Sequence, residues 1–282
     1  MSGGVLLLVD YSNLLYRAYY SSRMIADTKP WIGILRYLDM LRLFGQRVQE
    51  KYPGRQLEFI FAGESRKKLK RTQLNKTYKS QRKPVEDPIF KSFRQVIAEV
   101  LQDCGWKIMS RDGAEADDVI ASIAASVESD VVIFSNDRDL RQLLCFPNVA
   151  IYQHPGIFYT PQMFLDDYGF DVNDFVYYKA LVGDKSDNIP GVLGWGPVKA
   201  KTHILEQNWM QILEKEGQKD EYEASLSLVR LDFSLDCPSE GHIMRIQGAI
   251  PSKIVEDVYC LDAVNEIALT MNRLEEVVCR HS

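Results

Sequence analysis

Eight carboxylates lie in four short clusters along the 282-residue chain. They are Asp10; Glu115, Asp117 and Asp118; Asp137 and Asp139; and Asp184 and Asp187. Two unit charges 4 Å apart repel by about 4 kcal/mol near a protein surface, so acids gathered in one pocket would protonate or separate unless cations joined them. Divalent metal is the simplest resolution, and oxygen ligands without histidine or cysteine favour magnesium or manganese over zinc.

The elements that must position these acids can be read from hydrophobic patterns. Apolar runs at residues 5–9, 57–61 and 131–134 predict buried strands, and Asp10 and Asp137 follow the first and third. Helical periodicity over residues 88–101 and after Asp118 predicts helices between them. Strands that alternate with helices favour right-handed βαβ units, and so an α/β fold with a mostly parallel sheet flanked by helices. The acids would then meet at the edge formed by the carboxyl ends of the strands.

The sequence pattern changes near residue 160, and this change predicts two structural units. We expect an α/β core over residues 1–160, with a basic arch region at about 63–88. We expect a smaller helical subdomain over residues 161–282, because short helices with glycine and proline punctuation follow. A helix–turn–helix is predicted within it at about residues 180–206.

Composition and charge limit the function classes. The chain lacks a basic leader or an apolar stretch of membrane-span length, so we expect a soluble intracellular protein. Five scattered cysteines without paired spacing favour reduced structural thiols over zinc or disulfides. The net charge of −5 hides a basic segment, residues 66–83, with nine Lys or Arg and no acid. Such a run is usually a solvated helix face, but it also suits a polyanion.

Six motifs in order resemble the structure-specific 5′-nucleases, the flap endonucleases. They are VDYSNLLYR (9–17), YKSQR (78–82), EADDV (115–119), NDRDL (136–140), GDKSDNIPG (183–191) and GWGPVK (194–199). The family includes the 5′-nuclease domain of bacterial DNA polymerase I and stand-alone phage 5′-3′ exonucleases, and the resemblance covers about residues 5–240. It implies the PIN-like nuclease core, a helical arch and a helix–turn–helix that binds duplex DNA.

The resemblance also implies site residues. Two or more Mg²⁺ or Mn²⁺ ions would activate water and offset charge on the scissile phosphate. By motif position, Asp10, Glu115 and Asp117 belong to the first ion and Asp139, Asp184 and Asp187 to the second. Asp118 and Asp137 would bridge the ions or lie just outside their ligands.

The basic residues take DNA-binding roles by the same resemblance. Lys79 and Arg82 would contact the scissile phosphate, while Arg66, Lys67, Lys68, Lys70 and Arg71 would steer DNA. Gly194, Gly196 and Lys199 would hold the duplex backbone, because glycines admit a phosphate to backbone amides and Pro197 begins a helix. Some relatives also hold a monovalent ion, typically K⁺, in this turn. Tyr16, Tyr19 and Tyr20 are base-stacking candidates, though core packing accounts for them as well.

One acid of the family pattern is absent. Family members carry Asp at the end of the second strand, where this chain has Ala62. Either this is a natural subgroup in which water or Glu64 takes over, or the alanine was introduced to trap substrate. Losing one ligand of a hard-cation site should weaken binding of that ion.

The favoured hypothesis is a metal-dependent 5′-3′ exonuclease or flap endonuclease. It would act in DNA replication or repair on a 5′ flap, a single-stranded 5′ end or an RNA-primed junction, with primer removal as one variant. We expect a monomeric, stand-alone enzyme in the cytoplasm of a bacterial or phage-infected cell, and no membrane partner. A DNA-structure-binding relative impaired in cleavage by Ala62 is the alternative, and a ribonuclease of the wider acid-clustered α/β group ranks third.

Overall fold

The computed structural model describes residues 4–26, 32–65, 67–82, 87–103, 105–106 and 108–237. Arg66, part of the predicted arch and the end of the predicted helical subdomain lie outside these ranges. Within the described ranges, no helix is both long enough and apolar enough to cross a membrane.

A six-stranded sheet forms the centre of the molecule, and the predicted α/β fold class is confirmed. The strands are β1 (Val5–Asp10), β2 (Leu57–Ala62), β3 (Ile108–Met109), β4 (Asp130–Phe134), β5 (Val149–Gln153) and β6 (Ile157–Tyr159). Their order is β3-β2-β1-β4-β5-β6. Neighbours pair in parallel except β5 and β6, which are antiparallel. The winding direction changes between β1 and β4, which leaves a crevice at their carboxyl ends, the usual ligand site of an open α/β sheet.

Helices cover both faces of the sheet. They are α1 (Tyr11–Ala26), α2 (Ile32–Lys51), α3 (Lys70–Leu74), α4 (Pro88–Asp103), α5 (Ala116–Ser126), α6 (Pro161–Tyr168), α7 (Phe175–Val182), α8 (Pro197–Leu205), α9 (Trp209–Glu216) and α10 (Lys219–Val229). Two 3₁₀ helices span Asp139–Cys145 and Val172–Asp174. The predicted helix–turn–helix corresponds to α7, the loop after it and α8.

The core lies in two apolar clusters, one on each face of the sheet. Side chains alternate along β1, so Leu7 belongs to the cluster under α1, α2 and α4, whereas Leu8 belongs to the cluster under α5. The second cluster also contains residues of α6 to α10, such as Phe164 and Leu228. The helices after residue 160 therefore pack directly on the sheet face that carries α5.

The basic segment is mostly irregular. Within residues 67–82 the only helix is α3, five residues long, and hydrogen-bonded turns follow it to Arg82. A long solvated helix face, the simplest interpretation of that charge run, is absent from this described part of the segment.

Candidate active site

Asp10 stands at the carboxyl end of β1 in the crevice. It is buried, and its carboxylate accepts hydrogen bonds from the Asn13 backbone N–H (3.0 Å) and the Ser135 hydroxyl (2.9 Å). Burial raises the pKa of Asp10 to about 6, helped by the charge of Asp137 and opposed by the two hydrogen bonds. The strand thus delivers a carboxylate whose negative charge is poorly stabilised by the protein alone.

Four more acids line one cavity of about 370 Å³ with Asp10; they are Glu64, Glu115, Asp117 and Asp137. Asp117 comes from the first turn of α5 and Asp137 from the loop after β4. Burial raises the pKa of Asp117 well above its usual range, and the charges of Asp137 and Asp10 raise it further. Among described residues, no group donates a hydrogen bond to the Asp117 carboxylate. Four predicted site acids, Asp10, Glu115, Asp117 and Asp137, therefore converge at the edge of the sheet.

Asp118 lies apart from this cavity, in the base of α5. Its carboxylate accepts both arms of the Arg71 guanidinium at 2.7 Å, and it also accepts the backbone N–H of Glu115 in a capping box. Arg71 donates a further bond to Glu115 at 2.6 Å, and only 8% of its surface is exposed. The structure thus places Arg71, a predicted DNA contact, in the interior, where its guanidinium is buried and paired with Asp118 and Glu115; DNA contact by Arg71 stays a prediction. Arg71 donates to both carboxylate oxygens of Asp118, so the predicted metal role of Asp118 would require this pair to open.

This buried pair also holds the last described segment of the chain. Arg71 donates to the backbone carbonyl of Arg230 (2.8 Å), and the backbone N–H of Asp232 donates to Asp118 (3.0 Å). The Ser122 hydroxyl on α5 donates to the Asp232 carbonyl at 2.7 Å. The segment after α10 is thus tied to the helix that carries Asp117.

The YKSQR motif docks on the loop that carries Asp184 and Asp187. The Lys79 backbone N–H donates to the Asp187 carbonyl at 2.9 Å, and the Lys79 ammonium pairs with Glu115 and lies 3.6 Å from Asp187. Arg82 pairs with Asp187, and its guanidinium is about half exposed at the cavity. Burial lowers the pKa of Lys79, but the Glu115 and Asp187 charges outweigh it and leave a net rise. Lys79 is therefore charged, and it neutralises two predicted ligands.

A second lysine plays the same part for the other acids. Lys179 on α7 pairs with Asp139 and, at 2.8 Å, with Asp184. Burial alone would raise the pKa of Asp184, but hydrogen bonds from Lys179 and Ser186 lower it to about 2. Sequence reasoning missed Lys179. The available signal was a single charged residue in the otherwise apolar helix FVYYKALV.

The acids fit a hard divalent cation in their chemistry. Oxygen donors gather in the crevice, and the charge of Asp137 raises the pKa of both Asp10 and Asp117, a repulsion that a bound cation would offset. In this structure several of these acids are paired with lysine: Glu115 pairs with Lys79, and Asp139 and Asp184 pair with Lys179. Across the described ranges, no group of three or more Asp, Glu, His or Cys side chains is arranged to hold a metal ion. To bind a metal ion, the carboxylates that now pair with Lys79 and Lys179 would have to reorient.

The remaining predicted DNA contacts lie on the surface. Lys67 pairs with Asp112 at 2.5 Å and Lys70 with Asp232 at 3.3 Å, and all four side chains keep contact with solvent. Lys199 pairs with Glu216 at 2.9 Å and lies over the Trp195 ring. Nothing lies within 4 Å of a Cβ placed on Gly194 or Gly196, so the turn is open to an approaching ligand.

Tyr16 lines the cavity, with 41% of its surface exposed, and stacks on Phe90 with ring centroids 4.9 Å apart. Tyr20 is half exposed beside it. Tyr19 is buried, as expected if it packs in the core.

A doubly wound sheet with an acidic crevice, bordered by lysine and arginine, belongs to the α/β proteins that bind a ligand where the strand order reverses. A family model described as "5'-3' exonuclease, N-terminal resolvase-like domain" matches residues 5–169. The chain is 31% identical to a 5′-3′ exonuclease of Aquifex aeolicus over 86% of both chains. It is 30% identical to the thermostable DNA polymerase I of Thermus thermophilus over 82% of this chain and 28% of that one. The chain belongs to the 5′-3′ exonuclease family.

Solved structures share its fold. The 5′-exonuclease of bacteriophage T5 with bound zinc aligns with a TM-score of 0.63 and 21% identity, over 97% of this chain and 99% of that one. The T5 flap endonuclease in a complex with DNA and metal ions aligns with a TM-score of 0.62 and 20% identity, over 96% and 99%.

Proposed function

We propose that this chain is a divalent-metal-dependent 5′ nuclease that hydrolyses phosphodiesters near the 5′ end, at junctions of duplex and single-stranded DNA. The observation that carries the proposal is the single cavity lined by Asp10, Asp117 and Asp137 together with Lys79 and Arg82. Acids from three separate elements meet two cations there, which suits a phosphodiester bound between metal and basic side chains. Family membership supports the same reaction class.

The acidic and basic residues of the cavity would have different roles in the reaction. Asp10, Glu115 and Asp117 would hold one Mg²⁺ or Mn²⁺ ion, and Asp139, Asp184 and Asp187 would hold a further ion. Asp137 would bridge the ions or lie just outside their ligands. Bound ions would lower the pKa of water and offset charge on the attacking and leaving oxygens. Lys79 and Arg82 would exchange their carboxylate partners for the scissile phosphate and orient it.

The surface beyond the cavity would hold the duplex. The α8 helix begins at Pro197 after Gly196, which supplies no side-chain cap, so its first N–H groups are available to a phosphate. Lys199 is partly exposed beside them and would exchange Glu216 for DNA. K⁺ in the Gly194–Gly196 turn stays a prediction. Lys67, Lys68 and Lys70 would steer the single-stranded arm.

Cleavage of a 5′-flapped duplex, labelled at its 5′ end, tests the proposal. We expect short 5′ products with Mg²⁺ or Mn²⁺, and at least about a 100-fold loss of rate in Asp117→Asn and in Asp184→Asn, because each change removes charge at nearly constant volume. Asp166→Asn, on the exposed face of α6, should retain the wild-type rate. Wild-type rates in both site variants would refute the site.

The same experiment decides the non-cutting alternative. A protein that binds the flapped duplex in Ca²⁺ but releases no product with Mg²⁺ or Mn²⁺ would be a structure-binding relative. Recovery of cleavage in Ala62→Asp would then trace the loss to that position.

A further inference from the structure

The end of β2 differs from those of its neighbours. Asp10 ends β1 and Asp137 follows β4, and both carboxylates line the cavity. Ala62 pairs in register with Asp10 and ends β2 with a fully buried methyl group in the apolar cluster under α5. The strand between β1 and β3 thus brings no carboxylate to the crevice at its last residue.

Glu64 lies two residues after Ala62, just beyond the end of β2. It lines the cavity with Asp10 and Asp117. Within the described part of the chain it makes no hydrogen bond and no ion pair, although Lys79 and Arg82 line the same space. An unengaged carboxylate therefore faces the acids and cations of the site.

The backbone on both sides of Glu64 is fixed. The Gly63 N–H donates to the Met109 carbonyl at 2.8 Å, and the Ser65 N–H donates to the Ala114 carbonyl at 3.0 Å. A Cβ at Gly63 would lie 2.7 Å from the Ile108 side chain, so glycine allows this close approach to β3. Because both neighbours are held by backbone hydrogen bonds, the exposed Glu64 side chain extends from a fixed backbone at the rim of the cavity.

We infer that Glu64 supplies the β2 carboxylate of the divalent-ion site, in place of Ala62. The inference rests on the proposed function, since it assigns one more ligand to the same ion. Glu64 would act as an oxygen donor opposite Asp10 and Asp117. Its extra methylene, compared with aspartate, lets the carboxyl group extend further from a backbone that is two residues beyond the strand end.

Titration of the full-length protein with Mn²⁺ alone, followed by calorimetry, tests the assignment without turnover. We expect Glu64→Gln to weaken Mn²⁺ binding by about 10-fold or more, in the range seen when a group that supports a metal site is removed. Glu128→Gln, a matched exposed change between α5 and β4, should bind within about twofold of wild type. Ala62→Asp combined with Glu64→Gln should regain most of the affinity, because a carboxylate returns to the same strand end.

The outcomes of this titration and of the cleavage assay distinguish failure of this inference from failure of the proposed function. If a thermal melting curve shows that Glu64→Gln is folded, and the variant binds Mn²⁺ as tightly as wild type does, the assignment of Glu64 is overturned. If wild type cuts the flapped duplex in that case, the proposed function stands while this inference falls. If wild type neither binds Mn²⁺ nor cuts, the proposed function falls and takes this inference with it.

Discussion

Replacing Arg71 by methionine separates a structural role from a DNA-binding role. The guanidinium donates to Asp118 twice at 2.7 Å, to Glu115 at 2.6 Å and to the Arg230 carbonyl at 2.8 Å. Methionine replaces much of the aliphatic part of the arginine side chain but leaves the buried Asp118 without its cation, while Glu115 keeps its pair with Lys79. We expect the free energy of unfolding to fall by about 3–5 kcal/mol, the usual cost of breaking a buried ion pair from one side.

Urea denaturation followed by circular dichroism measures this loss, with metal chelated so that no ion compensates. Lys68→Met is the matched control, since Lys68 is an exposed member of the same basic segment, and its unfolding free energy should change by under about 0.5 kcal/mol. Asp118→Asn in the Arg71→Met background should cost far less than in wild type, because the two residues form one network. A loss below about 1 kcal/mol in Arg71→Met, with weaker DNA binding and a smaller salt dependence, would refute the structural assignment.

Three further results are expected. Burial raises the pKa of Asp10 from 3.8 to about 6, so the folded state binds this proton more tightly than the unfolded chain. Stability should therefore fall by up to about 3 kcal/mol as the pH rises from about 4 to 7 in EDTA. Urea midpoints should show a smaller fall in Asp10→Asn than in wild type, because the contribution of Asp117, whose pKa is also raised, then remains in the cavity. Lys79→Ala should lower the single-turnover cleavage rate by about 100-fold and change the DNA Kd by less than about fivefold, if Lys79 acts on the transition state; equal losses in both would contradict this. Gly183→Ala should cost at least about 2 kcal/mol in thermal or urea unfolding, because its Cβ would lie 2.5 Å from the Ile189 carbonyl oxygen. Gly194→Ala, with a similar positive φ but open space, should cost about 1 kcal/mol; equal losses would contradict the steric argument.

The strand ends were predictable because β1, β2 and β4 are buried on both faces and appear as unbroken apolar runs. The convergence of Asp10, Asp117 and Asp137 follows from that pattern and from the geometry of a parallel sheet. α2 escaped the sequence analysis although its buried residues, including Ile34, Tyr37 and Leu41, have helical spacing.

Pairing between distant charges could not be read from the sequence. Arg71 sits among lysines that face solvent, and only the return of α5 beneath it shows that it is a core residue. Lys79 and Lys179 likewise become counterions of particular acids through contacts 36 and 40 residues apart. Local spacing identifies ionisable residues, but the tertiary structure determines which of their charges are neutralised within the protein.

The tie between α5 and the segment after α10 has a consequence for the order of events during synthesis. Asp118 and Ser122 are made more than a hundred residues before Asp232, their partner. Chains fold as they emerge, from the amino terminus onward. A nascent chain that stops short of Arg230 holds every one of the eight acids, yet it lacks the contacts that fasten the acidic helix in place. The pocket is therefore complete only after the segment that contains Arg230 and Asp232 has been synthesised.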